Sequence, residues 1–452
     1  MLEDLLIQLR QKDIEINNAD QSGLAAIFEL SWQSLSLEAQ TLGCFLSLFG
    51  LAPISRKLLE QILDGIKLDH LPVDDLSEPL AELVKKFLVQ VTRPDTYALH
   101  ELMRERFEQA LSELSNADAL KHIYCKGIAT LARQMPGRPT LADIEAFSPR
   151  VPHIIEAATT LQSWLTDKDL TWPYVCLGRF YEVQSAFDQA ELWYARCLDI
   201  SYQRLDNEHL DVAVSLNNLA VLYDNQGYYS EAERFYQEAL VMYKRLLSNK
   251  HPDVALSLSS LAVLYDNQGH HSEAEPLLQE ALTIWRELAQ KSPRTYLPYV
   301  ARTLNDLALL QKAQNELIQA QTNYQEALAI RRQLAKENPR AYLPYVAGTL
   351  NDLALLQANQ KELEAAQTNY QEALAIRRQL AQENPLICLP HVAATLINLS
   401  IFYLQTKPDK DRSVATATEA LEILQGFQNN PSLQRYTNVA IQILKANVAK
   451  LD

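Results

Sequence analysis

The chain is poor in glycine, with 11 among 452 residues, too few for a turn-rich β architecture. Its five cysteines, Cys44, Cys125, Cys176, Cys197 and Cys388, are scattered and contain no CxxC pair. That spacing offers neither a zinc site nor a disulfide framework, and predicts buried thiols in a reducing compartment. None of the glycines precedes a lysine, so a GxxxxGK[ST] phosphate loop is absent. No uninterrupted apolar run reaches the roughly 20 residues that span a bilayer. The N-terminal MLEDLLIQLRQKD has no basic-then-apolar leader pattern. A cytoplasmic protein with no membrane partner is expected.

Charge and chemistry are lean as well. The formal charge of −15 argues against a sequence-independent grip on nucleic acid. The nine histidines do not group as ligands, and no pair is spaced i,i+4 on a helix. His270-His271 falls in a turn between helices. Neither a metal nor a cofactor is expected. Cys125 has Lys121, His122 and Lys126 nearby in sequence, which would lower a thiol pKa. No third group completes a nucleophilic site, so no catalytic residue is assigned and the chain is read as a non-enzyme.

What the sequence has in abundance is a repeat. Leu177, Leu219, Leu261, Leu307, Leu353 and Leu399 occupy equivalent places, first 42 and then 46 residues apart. Around them stand SLNNLAVLYDNQGYYSEAERFYQEAL (215–240), SLSSLAVLYDNQGHHSEAEPLLQEAL (257–282), TLNDLALLQKAQNELIQAQTNYQEAL (303–328) and TLNDLALLQANQKELEAAQTNYQEAL (349–374). Each unit reads as two antiparallel helices: Leu216, Leu219, Ala220 and Tyr223 share one face, then Ala232, Tyr236, Ala239 and Leu240 share another. Gly227, Gly269 and Asn315 are placed to end first helices in the left-handed region. Ser230–Glu233 and Ser272–Glu275 are expected as capping boxes, and Pro252, Pro298, Pro344 and Pro390 as first-turn prolines.

These residues resemble the tetratricopeptide repeat (TPR), and the 42-residue spacing with HPDVA (251–255) resembles its kinesin light chain subclass. A mainly α fold is expected, an α-solenoid of TPR helix pairs in a right-handed superhelix. A small winged-helix domain with one β-hairpin would precede it. Strands at Phe87–Val91 and Tyr97–Leu99 flank the turn Arg93–Thr96, and His100 starts a helix. FELSWQSLSLEAQTLGCFLSLFGLAPI (28–54) and YALHELMRERF (97–107) resemble the winged-helix region of bacterial NB-ARC or STAND signalling ATPases, without the ATPase. The expected organisation is an N-terminal helix over 1–23, a winged-helix domain over 24–115 and a helical linker over 116–170. About six TPR units over 171–431 and a capping helix over 432–452 follow. The first unit (Gly178, Tyr181, Ala190, Tyr194, Cys197) is degenerate, and the sixth, with Ser400 and Pro408, is offset by one residue.

The resemblance implies that first helices line a concave groove. There Asn217, Ser259, Asn305 and Asn351 fall at one repeated position, and Asn218, Asp306, Asp352 and Asn398 at the next. Carboxamides both donate and accept, so a ladder of them can hold an extended peptide, with Asp224, Asp266 and Arg302 adding charge selectivity. The repeated tyrosines (Tyr223, Tyr236, Tyr265, Tyr324, Tyr370) are expected in the core. The leading functional expectation is a non-catalytic protein- or peptide-binding scaffold or sensor in intracellular signalling. A separately encoded P-loop ATPase is an implied partner, and His100 matches a histidine that contacts nucleotide in such ATPases. The alternative is a winged-helix DNA-binding transcription regulator with a TPR sensor. Its recognition helix, 77–88, carries Lys85 and Lys86 but also Glu78 and Glu82.

Overall fold

With few helix breakers and a steady 3.6-residue apolar period, the chain folds as helix pairs in a TPR solenoid, with one small sheet near the N-terminus. The computed structural model describes residues 28–64, 66, 75–137, 139–428 and 430–449. The expected helix over 1–23 lies outside them. Two compact units divide the chain after Ala239.

In the first unit, helix Leu37–Leu46 starts at Ser36, whose hydroxyl accepts from Ala39 N–H. Strand β1 (Ile54–Ser55), helices Arg56–Leu63 and Ser77–Lys85, strands β2 (Gln90–Arg93) and β3 (Thr96–Ala98), and helix Glu101–Glu113 follow. The sheet runs β1-β3-β2, antiparallel throughout, with Ile54 opposite Tyr97 and Gln90 opposite Ala98. The hairpin is present but shorter than expected. Phe87 takes a left-handed conformation (φ 59°), and the Leu88 and Val89 amides reach back to Leu83 C=O, so both residues close a helix before β2 begins. Strand β1 was not anticipated, because two residues carry no periodicity.

Phe28, Trp32 and Phe107 form a ring cluster with centroids 5.3–5.9 Å apart. Arg104 ties the layers together: its Nε donates to Ser47 C=O at 3.0 Å, and Nη2 pairs with Glu156 at 2.8 Å. Helices Ala117–Ala132, Leu141–Phe147 and Val151–Ala158 lead to the first repeat pair, Trp172–Val183 and Phe187–Arg204. Here Gly178 stands where the next four units have alanine, because a Cβ would lie 2.2 Å from the Tyr194 ring. Helix Leu210–Gln226 and the start of Tyr229–Leu246 complete the unit.

The second unit continues with first helices Pro252–Asn267, Pro293–Ala313, Pro339–Asn359 and Pro385–Ile401. Their partners are His271–Lys291, Leu317–Glu337, Leu363–Glu383 and Lys410–Gln425, closed by helix Pro431–Ala449. All six marker leucines are buried. The two repeat lengths have a simple origin. The 42-residue repeat beginning at Leu210 has helices of 17 and 18 residues and a loop over 247–251 before the next unit. In the 46-residue repeat beginning at Pro293 both helices have 21 residues, and Asn338 alone joins the pair to the next. The first-turn prolines are therefore Pro293, Pro339 and Pro385, while Pro298, Pro344 and Pro390 lie inside helices. Only Pro252 is where it was expected.

Left-handed residues end the first helices at one register: Ser185, Gly227, Gly269, Asn315 and Lys361, with φ of 58–79°. In the expected capping boxes neither serine stands at an N-cap. The second helices start one residue before Ser230 and Ser272, and the Ser272 hydroxyl bonds Glu273 instead. The one-residue offset of the sixth unit is absorbed by a π-helical turn, Phe402–Thr406. The stretch Pro385–Thr406 has mean hydropathy 1.7 and the length to cross a membrane, yet half of it is buried. Its Val392, Leu396, Leu399 and Phe402 pack in the core with Tyr370 and Ala417.

Candidate functional site

The anticipated groove residues behave differently in the two units. In the first, Asn217 and Asn218 sit on helix Leu210–Gln226, half-buried one residue apart. Asn217 makes no side-chain hydrogen bond among the described residues, and the buried Asn218 Nδ2 has no partner. Asn218 lines a cavity of about 610 Å³ with Arg179, Glu182, Phe187, Tyr194 and Asn225. Both Glu182 oxygens are engaged, one by Tyr194 Oη at 3.0 Å and the other by Asn225 Nδ2 at 2.9 Å. Arg179 donates to Met135 C=O at 3.4 Å and has no carboxylate partner among the described residues. Arg179 thus brings to the cavity a cation with no carboxylate partner among the described residues, beside an Asn218 amide whose Nδ2 is buried and unpaired. Asp224, further along the helix, is half-buried, and that burial raises its carboxyl pKa.

In the second unit the repeated amides are bonded to neighbouring side chains. Asn305 Oδ1 accepts from Arg331 Nη1 at 2.9 Å, and Arg331 also donates to Thr349 Oγ1 and to Tyr345 C=O at 3.4 Å. Asn398 Nδ2 donates to Asn351 Oδ1 at 3.1 Å, and Asn351 Nδ2 to Asp352 at 3.5 Å. Arg377 repeats the theme with Thr395 and His391 C=O. Ser259 bonds back to Ala255 C=O, Asp266 pairs with His271 Nδ1 at 3.0 Å, and Arg302 lies 3.8 Å from Asp306.

Burial sets the charges here. Desolvation pushes Asp306 up to about 6 against the pull of Arg302 and Arg331, and raises Asp352 as well. The same burial lowers the Arg331 and Arg377 pKa values, which the neighbouring aspartates partly restore. A smaller cavity of about 360 Å³ beside this network is lined by Tyr299, Arg302, Arg331, Tyr342 and Tyr345.

Arg331 and Arg377 were missed by sequence reasoning. The signal was the doubled arginine in AIRRQL, of which one turns inward and one outward. The outward ones, Arg332 and Arg378, pair with Glu372 and Glu419, as Arg286 does with Glu326. Arg179 was also missed, lying in the degenerate first unit.

Other sequence candidates find plain places. Burial pushes the Cys125 thiol up to about 12, the reverse of nucleophile activation, and Cys44, Cys176 and Cys197 likewise. Cys388 is only half-buried. His100 caps helix Glu101–Glu113, its Nδ1 accepting from Leu102 N–H at 3.3 Å, and His209 and His251 cap repeat helices in the same way. Among the described residues no three of His, Cys, Asp and Glu converge as a metal-binding group. Tyr236, Tyr324 and Tyr370 are buried as expected, whereas Tyr223 and Tyr265 are half-buried near the turns.

Residues 212–253, 254–292, 300–340 and 346–385 each match the tetratricopeptide repeat family model. Comparison with curated proteins gives no match. Among solved structures, the Signal Transduction ATPase with Numerous Domains (STAND) protein with a tetratricopeptide repeat sensor from Pyrococcus horikoshii aligns over 97% of this chain. The identity is 16% and the TM-score 0.50, and the alignment spans 63% of that protein. BtubC (BKLC) from P. vanneervenii aligns over 54% of this chain and 93% of its own, at 24% identity and TM-score 0.44. A putative kinesin light chain repeat protein from Podosopora anserina aligns over 50% of this chain and 98% of its own, at 21% identity and TM-score 0.41.

Proposed function

We propose that the chain is a non-catalytic sensor or scaffold that binds a protein or peptide at the cavity beside Asn218. One observation carries this reading: the buried Asn218 Nδ2 has no partner, beside a cavity where Arg179 also lacks a carboxylate among the described residues. A buried donor left unpaired costs about 1–3 kcal/mol, which the amide recovers by turning towards a ligand acceptor in the cavity. Arg179 is a cation with donors to spare and the unpaired Asn218 Nδ2 is a donor, so the ligand presents acceptors, either backbone carbonyls or a carboxylate of an extended segment. Asn217 and Asp224, next in sequence to the lining residues Asn218 and Asn225, serve as secondary contacts in this reading. The bonded amides of the second unit, Asn305, Asn351 and Asn398, are assigned a structural part.

The element order helix–strand–helix–helix–strand–strand supports a winged-helix domain over 24–115, followed by the linker and the TPR array. The fold shared with the STAND protein from Pyrococcus horikoshii brings a signalling role, and an ATPase as partner, into the proposal. Ligand capture would then bias that partner between two states. DNA reading is disfavoured on helix Ser77–Lys85, where Glu82 is occupied in accepting from Ser36 N–H and Glu78 stays exposed.

The test is peptide display against the whole chain, followed by affinity measurement of the enriched sequences. A shared acceptor-rich motif that binds wild type and fails on Arg179→Ala supports the reading. Failure to enrich any sequence, or binding indifferent to that substitution, removes it.

A further inference from the structure

Although the chain carries a net charge of −15, one cavity in the first unit is lined by cations and by no aspartate or glutamate. It measures about 710 Å³ and is formed by residues from β1, the hairpin and the segment 146–152. Lys57, Arg93 and Arg150 line it. Lys57 and Arg93 are exposed and Arg150 is half-buried, its guanidinium 4.9 Å from the Phe147 ring centre. None of the three forms an ion pair among the described residues. Arg56, next in sequence to Lys57, shows what pairing looks like here: it meets Glu60 at 2.9 Å and Asp75 at 3.7 Å.

Three unneutralised cations from three separate elements repel one another, and an anion between them relieves that repulsion. Lys57 stands in the first turn of helix Arg56–Leu63, which Ser55 caps, so the positive end of the helix adds to the field. A singly charged anion offsets only one of the three charges. An anion with adjacent phosphates carries enough charge to offset all three, and the two arginines present the planar forks that suit phosphate oxygens. The volume lies within the range of small-molecule pockets, about 300–1,000 Å³.

We propose that this cavity binds a small oligophosphate, held by Lys57, Arg93 and Arg150. A nucleic-acid backbone would need a basic stripe continuing beyond the cavity, and the neighbouring helix Ser77–Lys85 offers Glu78 and Glu82 alongside its lysine.

The experiment is calorimetric titration of the whole chain with inorganic tripolyphosphate, at about 50 mM and about 200 mM salt. Binding that weakens with salt is expected. It should fall at least about tenfold in Lys57→Ala/Arg150→Ala and separately in Arg93→Gln. Lys85→Ala/Lys86→Ala, outside the cavity, should bind as wild type does. Unchanged melting temperatures in all variants exclude misfolding. Absence of binding in wild type, or equal affinity in the cavity variants, overturns the proposal. So does a short DNA duplex that binds more tightly than tripolyphosphate and is lost in the same variants, because the surface would then follow a nucleic-acid backbone.

Discussion

The same repeated asparagine position is open in one unit and closed in the other. In the first unit, Asn217 has no side-chain bond and Asn218 keeps a buried donor unused beside a cavity. In the second, Asn305 and Asn351 are held by Arg331 and Asn398. The difference arises on the second helices. Where Arg331 and Arg377 stand in the 46-residue repeats, the preceding units have Trp285 and Tyr243. Trp285 stacks on Tyr299 with centroids 4.5 Å apart, and its own repeat has Ser259, not an amide, at the asparagine position. Arg331 instead brings a buried guanidinium that needs acceptors and takes them from Asn305 and Thr349. A repeat consensus residue that the facing helix bonds is a structural strut; one left unbonded is a ligand contact only under the proposed function.

The largest test of this contrast is Arg331→Leu. It strands the acceptors of Asn305 and Thr349 and removes the countercharge of Asp306, so a loss of about 3 kcal/mol is expected in chemical denaturation. A loss below about 1 kcal/mol would mean that the network is dispensable. Next comes pH. The folded pKa of Asp306, about 6, lies above the ordinary carboxyl value, so its contribution to stability is full below about pH 4 and is lost as pH rises to about 6. Asp306→Asn should remove that part of the slope, on the order of 1–2 kcal/mol after allowance for a side chain 24% exposed. Parallel pH profiles for the two proteins would refute the assignment.

Smaller effects separate the two kinds of amide. Asn351→Ala should cost about 1–2 kcal/mol, since Asn398 and Asp352 lose a partner, whereas Asn218→Ala should be neutral or slightly stabilising. Equal destabilisation by both would erase the distinction between the units. Smallest of all is Arg332→Ala, which breaks a half-exposed pair with Glu372 and should cost under about 1 kcal/mol, less still at high salt.

Long-period features were legible in the sequence. The marker leucines, the small residues between helices and the left-handed turn at Gly227, Gly269 and Asn315 follow from repetition and steric demand. Local chemistry misled where a tertiary choice intervened. Pro298, Pro344 and Pro390 looked like helix starts because the extra residues of the longer repeat can be placed before or after them. Lysine carries no compositional sign for the left-handed turn, so Lys361 is marked only by its repeat register. Strand β1 had no sign either, because it depends on Thr96 and Tyr97 elsewhere in the chain. The candidate site was half legible. The amide positions were visible as a pattern, but whether an amide is free depends on a residue one helix away, and AIRRQL does not say which arginine turns inward.

The most direct test compares affinities for one display-selected peptide in two variants of the whole chain, Asn218→Ala and Asn305→Ala, each first shown to be folded by its melting curve. The expected result is a loss of about tenfold or more for Asn218→Ala and little change for Asn305→Ala. The reverse order, or equal loss in both, would contradict the assignment of recognition to the open amides of the first unit.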